Sequence, residues 1–379
     1  MKYIEEYRDG RLARGFAARI AVAARPERDY RFMEFCGGHT HAIARFGVAG
    51  LLPANVRMIH GPGCPVCVLP VGRIEMAIRL AERPEVTLCT YGDLMRVPAL
   101  QGSSLLKTKA AGADIRVVYS TLDAIRIAEA EPRREVVFFA IGFETTTPPT
   151  ALAIRLAAKK SLTNFSVFCN HVLTPSAIRN ILESPELRAL GRLHIDGFIG
   201  PSHVSTVIGT QPYEFFAKEF QKPVVVTGFE PLDVMQAILM LIRQVNEGRH
   251  EVENQYVRAV ARDGNPIAKA AVAEIFELRK SFEWRGLGTV PYSGLRLKTA
   301  YAAFDAERRF DLKEIAGHDN PACECGAILR GVKTPAECKL FGTLCTPDTP
   351  MGSCMVSSEG ACAAHWTYGR FHEQPRKVA

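Results

Sequence analysis

Short apolar runs rich in β-branched residues recur along the first two-thirds of the chain, at intervals of 20 to 31 residues. They predict strands over Arg31–Phe35, Val56–His60, Val86–Thr90, Ile115–Tyr119, Glu135–Ala140, Phe165–Cys169, Asp196–Gly200 and Pro223–Thr227. Between most of them the apolar period lengthens to that of a helix. Over Arg73–Glu82 it places Ile74, Ala77, Ile78 and Ala81 on one face. Ser120–Ala130 opens on an N-cap serine with an acid at Asp123, half of a capping arrangement. Strands alternating with helices predict parallel sheets built from βαβ units.

The eight strands divide into two sets of four. HGPGCPVC follows a strand of the first set and IGPSHVS a strand of the second. GFE occurs at Gly142 and again at Gly228, each time after an apolar strand. The pattern predicts an α/β fold: two similar parallel-sheet lobes around a cleft, over residues 31–121 and 122–232. After Leu232 the alternation stops. Helices are expected at Pro231–Glu247 and Pro266–Lys280, and the chain becomes rich in Gly, Pro and Cys beyond Gly286. Residues 233–379 read as a third, mainly helical and irregular domain, with an N-terminal helix within residues 1–30 packed against it.

In open α/β sheets, ligands meet the loops after the strand C-termini. CGGHTH, GPGCPVC, YGD, GFETTTP, CNHV and GPSHV all fall there. Packing alone would favour aliphatic residues, so these segments predict one composite site.

Composition narrows the class. The chain is 47% hydrophobic and 23% charged, ordinary for a globular protein of 379 residues. A net charge of +7 is spread along it without a Lys/Arg run, which speaks against nucleic-acid binding. The first residues carry acids and no apolar core of a signal peptide, and no stretch suits a membrane span. The expected location is cytoplasmic. In that reducing setting, 11 cysteines read as ligands or redox groups.

Six of the 11 lie in the tail: Cys323, Cys325, Cys338, Cys345, Cys354 and Cys362. The turn-rich segment between them can wrap an inorganic centre. Four thiolates satisfy a [4Fe–4S] cluster or structural zinc. The C-x-C followed by long unequal gaps lacks a second zinc knuckle, and two thiols remain after four are used. A cluster beside a redox dithiol accounts for both facts. Adjacent C-x-C sulfurs pair with each other only under strain.

In the lobes, Cys36 ends a strand ahead of two glycines and His39, a residue close enough in sequence to take its proton. Cys64 and Cys67 form a CxxC that can hold a metal or close as a disulfide. Glu144, Thr145, Thr146 and Thr147 form a polar turn that suits an anion, a partner's terminus or a plain helix cap. Asn170 and His171 are weaker candidates, and Cys89 and Cys169, inside apolar strands, read as core.

Taken together, CGGHTH at Cys36–His41, GPGCPVC at Gly61–Cys67, GFETTTP at Gly142–Pro148 and MVSSEGAC at Met355–Cys362 resemble the HypD family of hydrogenase maturation proteins. The resemblance runs the length of the chain in the family's motif order. It implies two α/β domains plus a [4Fe–4S] domain similar around the cluster to ferredoxin:thioredoxin reductase. It implies a scaffold that works with a HypC-type chaperone to build the Fe(CN)2CO unit of [NiFe]-hydrogenases. Cyanide would come from a HypE-type donor, with HypF acting upstream. Carried onto this chain, it makes Cys36, Cys64 and Cys67 the thiols that hold the transient iron. Cys323, Cys338, Cys345 and Cys362 become cluster ligands, and Cys325 and Cys354 a redox pair. His39 or Glu359 would handle protons. A rival expectation is an iron–sulfur thiol–disulfide reductase acting on a protein; another is a zinc-stabilised binding module.

Overall fold

The computed structural model describes residues 4–184 and 195–369. Nine parallel strands make two sheets: β1 (Tyr30–Glu34), β2 (Val56–His60), β3 (Val86–Thr90), β4 (Ile115–Val117), β5 (Glu135–Gly142), β6 (Phe165–His171), β7 (Gly197–Pro201), β8 (Val224–Thr227) and β9 (Val252–Asn254). One sheet has the order β2-β1-β7-β8-β9 and the other β4-β3-β5-β6. The fold is thus α/β with two parallel-sheet lobes, as the alternation predicts.

The grouping of strands differs from the expected consecutive fours. β1 pairs with β7, bringing Phe32 opposite Gly197, and β3 to β6 form a lobe inserted into the first. A boundary at residue 121 falls between β4 and β5, within one sheet. Of the inserted strands, the edge strand β4 buries only Ile115, while β3 and β6 are buried along their whole length and β5 at every position but the first. That is why they read as continuous apolar runs rather than alternating ones.

Helix Pro231–Glu247 lies on the first sheet, where Val234, Ile238 and Leu241 share a core with Phe32, Ile199 and Val225. The N-terminal helix Gly10–Ala23, capped by Asp9, sends Ile20 into that same core. The stretch expected as a helix over Pro266–Lys280 stops at Ile275. Phe276–Leu278 (β10) pairs antiparallel with a strand at Leu295–Leu297. Between them, Ser281–Trp284 and Gly288–Pro291 form a hairpin. Beyond it the tail has only short helices and turns. Among the described residues no helix is long and apolar enough to cross a membrane.

Candidate functional site

The site begins where β1 stops. Cys36 has extended backbone and is the N-cap of helix Gly37–Arg45. Glycine opens that helix at an entropic cost, and the packing explains it. A Cβ on Gly37 would lie 2.3 Å from Cβ of Glu359, and one on Gly38 would lie 2.8 Å from the Phe229 ring. A Cβ on Gly63 would stand 2.1 Å from the Cys36 nitrogen, and Gly37 N–H donates to the Gly63 carbonyl at 2.8 Å. These close approaches draw the CxxC loop, the Cys36 turn and the tail together.

Cys64 and Cys67 are joined as a disulfide, and the remaining nine described cysteines are free thiols. Cys64 caps the turn Pro65–Val68, its Sγ accepting the Cys67 N–H at 3.2 Å. In this oxidised state neither sulfur is a thiolate ligand; reduction would release both. Cys36 is 2% exposed. Burial, then the negative charge of Glu359, pushes its thiol well above its ordinary value, against the Gly38 and His39 backbone N–H groups that favour the thiolate.

His39 is not where its sequence neighbourhood suggests. Its ring turns away from Cys36, with Nε2 3.0 Å from the Gly228 carbonyl and 3.3 Å from that of Thr227. Only its backbone N–H serves the sulfur. The imidazole beside Cys36 belongs to His203, whose Nδ1 lies 3.4 Å from Sγ. Burial, helped by the neighbouring His39 ring, pulls His203 down to about 4, so it is neutral at pH 7 and able to accept a proton. His203 is the second residue of helix Ser202–Ile208, which follows β7 directly, and β7 is the strand paired with β1. Phe229 packs against both rings, at 4.7 Å from His39 and 5.3 Å from His203.

Beneath Cys36 lies Glu34, fully buried. Its Oε2 accepts the Cys36 N–H at 3.0 Å, and its Oε1 accepts from Thr40 at 2.5 Å and faces His60 Nδ1 at 2.7 Å. One carboxylate therefore fixes the ends of β1 and β2 and the first turn of the helix. Above it opens a pocket of about 390 Å³ lined by Gly38, His41, Arg45, His203, Phe229 and Glu359, with Arg8 paired to Glu230 on the rim. Glu359 is held above the usual carboxylate range by close packing, then by Asp93 and Glu34.

The Glu144–Thr147 turn is mostly engaged within its own lobe. Glu144 accepts the backbone N–H and the hydroxyl of Thr174 at 2.9 and 2.8 Å, and burial raises it to about 7 against those bonds. Thr146 and Thr147 donate to the Phe143 carbonyl at 3.0 and 3.2 Å. Thr145 is half-buried on the same turn. His171 lies 3.0 Å from Thr150 Oγ1, and Asn170 accepts from Arg73 at 2.5 Å. Cys89 and Cys169 are buried in the sheet, and burial raises them to about 12 and about 11.

The tail ties the two lobes to its own thiols. Ser353 donates to the Cys67 carbonyl at 2.8 Å, Ser357 to Asp93 at 2.7 Å, and the Ser358 carbonyl lies 3.3 Å from His41 Nδ1. Cys354, beside Ser353, is fully buried and shares a core with Cys64, Cys67, Cys325, Cys345 and Cys362, against which Cys323 and Cys338 pack. Cys325 is within hydrogen-bond reach of Cys323, Cys354 and Cys362. Cys345 accepts the Met351 N–H at 3.4 Å. A Cβ on Gly352 would lie 2.5 Å from the Cys323 sulfur and 2.7 Å from that of Cys325.

Six soft thiols, backbone N–H groups aimed at sulfur and a glycine floor are the donor chemistry an iron–sulfur cluster takes. Among the described residues the sulfurs contact one another rather than standing at metal-ligand spacing about one point. Cys325 touches Cys354, the partner expected of it, and also two of the expected ligands.

Comparison with known proteins adds an independent line. The family described as "HypD: Hydrogenase formation hypA family" matches residues 11–369. The chain is 75% identical over 378 residues to the hydrogenase maturation factor HypD of Rhizobium leguminosarum bv. viciae, covering 100% of this chain and 98% of that one. It is 68% identical to the HypD of Cupriavidus necator over the full length of both. It is 47% identical to that of Escherichia coli over 97% of this chain and 98% of the other.

Proposed function

The chain belongs to the HypD family of hydrogenase maturation factors, and from that premise we propose that it is the scaffold on which a cyanide-bearing iron is assembled. The supporting observation is the meeting of Cys36, the Cys64–Cys67 disulfide and the tail thiols across two short links. These are the contact of Gly63 with the Cys36 backbone and the Ser353–Cys67 bond.

The substrate iron would be held by Cys36, by Cys64 and Cys67 once reduced, and by a thiolate of a HypC-type chaperone. Thiolates suit an iron that also carries strong-field ligands. Cyanide would arrive as a thiocyanate on a HypE-type donor, itself charged by a HypF-type enzyme. Splitting the S–C bond to give a thiol and cyanide anion consumes two electrons and one proton. Oxidation of the Cys325/Cys354 dithiol to its disulfide supplies both electrons and releases two protons, leaving Cys64 and Cys67 on the iron. One goes to the donor's sulfur. The other goes to a base at the pocket, His203 or Glu359. His203 also takes the Cys36 proton as that sulfur binds iron.

The disulfide must then be reduced. Ser353, next to Cys354, bonds the Cys67 carbonyl, so the same dithiol can also open Cys64–Cys67 by exchange before iron binds. Cys323, Cys338, Cys345 and Cys362 would hold a [4Fe–4S] cluster, which when bound delivers single electrons from an outside one-electron donor.

The test is infrared spectroscopy on the complex purified anaerobically with its HypC-type partner. The scaffold gives bands of iron-bound cyanide and carbon monoxide. Turnover of disulfide substrates without such bands would instead make the protein a thiol–disulfide reductase.

A further inference from the structure

The hairpin turn Arg285–Gly286–Leu287 is wedged between the CxxC loop and the tail. Arg285 N–H donates to the Val68 carbonyl at 2.8 Å, one residue beyond Cys67. Gly286, with φ +81°, packs so closely on Gly326 that a Cβ would lie 2.7 Å from its Cα. Gly326 follows Cys325 directly, at the start of helix Cys325–Leu329.

Arg285 itself is 4% exposed. Its Nε donates to Asp319 at 2.6 Å, and Nη2 pairs with the same carboxylate. Its Nη1 is buried with no hydrogen-bond partner among the described residues. A buried guanidinium with an orphaned donor is costly unless something anionic receives it. Asp319 is 31% exposed and gives only partial compensation. The turn that carries Arg285 is packed between the residue after Cys67 and the residue after Cys325, and the charge of Arg285 favours the thiolate at both Cys323 and Cys354.

We propose that Arg285 is the buried hydrogen-bond donor to the anionic sulfur centre of the tail, its Nη1 donating to a sulfur there and its charge setting how readily that centre accepts an electron. This rests on the reading of the tail thiols as holders of an iron–sulfur cluster, and assigns a positioning residue to it. A cluster held by four thiolates carries net negative charge that grows on reduction. A fixed cation at its edge favours the reduced state, and N–H···S bonds act in the same direction. Asp319 opposes this and holds the guanidinium plane in place.

The experiment compares anaerobically purified full-length protein with Arg285→Met, Arg285→Lys and Asp319→Asn variants. Iron and sulfide content is read first, then the midpoint of a potentiometric titration followed by visible absorption. Arg285→Met is expected to lower the equilibrium constant for one-electron reduction about tenfold, a shift of about 59 mV. Arg285→Lys should fall between the two, and Asp319→Asn should move the midpoint the other way. Should Arg285→Met not fold, the opposite shifts of the lysine and asparagine variants carry the test. Iron-loaded variants with an unchanged midpoint would overturn the assignment of Arg285 alone. Absence of iron and sulfide from the unaltered protein would overturn the cluster reading and this assignment with it.

Discussion

His203 Nδ1 stands 3.4 Å from Cys36 Sγ, reaching it across the pairing of β7 with β1. With the thiol held well above its ordinary value by burial and the imidazole drawn down to about 4, the pair rests as neutral thiol and neutral base. On the proposed reading, Cys36 passes its proton to His203 as the sulfur binds iron. Cys36→Ala is expected to leave the fold intact and abolish the infrared bands of the iron complex. His203→Gln should keep the thiol yet slow assembly about 100-fold, the usual loss on removing a general base. Normal maturation in the Cys36→Ala strain would refute the site.

The Cys64–Cys67 bond makes a direct prediction for oxidised protein. Alkylation after denaturation without reductant should label nine of the 11 cysteines, and labelling after reduction should add Cys64 and Cys67. Peptide mass spectrometry reads this, and labelling of either residue in the unreduced sample would contradict it.

Glu34 is the buried anchor under Cys36. Glu34→Gln keeps the shape but replaces charge-assisted bonds to Cys36 N–H and Thr40 by weaker ones and loses the His60 pair. A stability loss of about 2 kcal/mol is expected, measured as a lower denaturant midpoint at unchanged slope. No change in midpoint would show the carboxylate to be dispensable.

Gly63→Ala would place a methyl group 2.1 Å from the Cys36 nitrogen. The backbone must part there, at a cost of more than about 2 kcal/mol. Assembly should fall as steeply as in the cysteine variants although every thiol remains. A variant with ordinary activity and stability would show that the CxxC loop does not need this contact.

The pH dependence of stability contains opposing contributions. His171 and His203, both lowered to about 4, take up protons on unfolding as pH falls from about 6.5 to 4, so their contribution is lost on acidification. Glu144, raised to about 7, releases a proton on unfolding between about 4.5 and 7, so its contribution is lost as pH rises. In the window they share, Glu144→Gln should steepen the acid-side fall of stability by up to one proton, about 1.4 kcal/mol per pH unit. His171→Gln should flatten it. Denaturant unfolding at pH 7, 6 and 5 gives both slopes, and parallel curves would disprove the assignments.

The sequence announces eight of the nine parallel strands, because buried parallel strands are unbroken apolar runs. It hides which strands pair. The β1–β7 ladder joins segments more than a hundred residues apart, and nothing in either run names the other. β9, a half-buried Val-Glu-Asn edge, has no such apolar signal, and the helix expected through Lys280 ends at Ile275 because Phe276–Leu278 finds a strand partner. The loops of the site are legible by their glycines and cysteines. Glu34 is not, since an acid at a strand end reads as exposed until three donors are seen to converge on it. His39 and His203 exchange roles for a geometric reason. His39, third in its helix, turns its ring to the Gly228 carbonyl, while His203, second in the helix after the adjacent strand, faces the sulfur. The signal for His203 was its place after a strand, visible only once that strand's neighbour is known.

The clasp between His41 and Ser358 spans 317 positions, and it bears on how the protein is born. At 5–20 residues per second, roughly 15–60 s separate the synthesis of the two residues. Throughout that interval Cys36 has emerged from the ribosome without Glu359 or the tail thiols beside it. On the proposed reading of the site, a nascent chain begins to handle iron only once the tail has been made, and a product truncated before Ser358 does not.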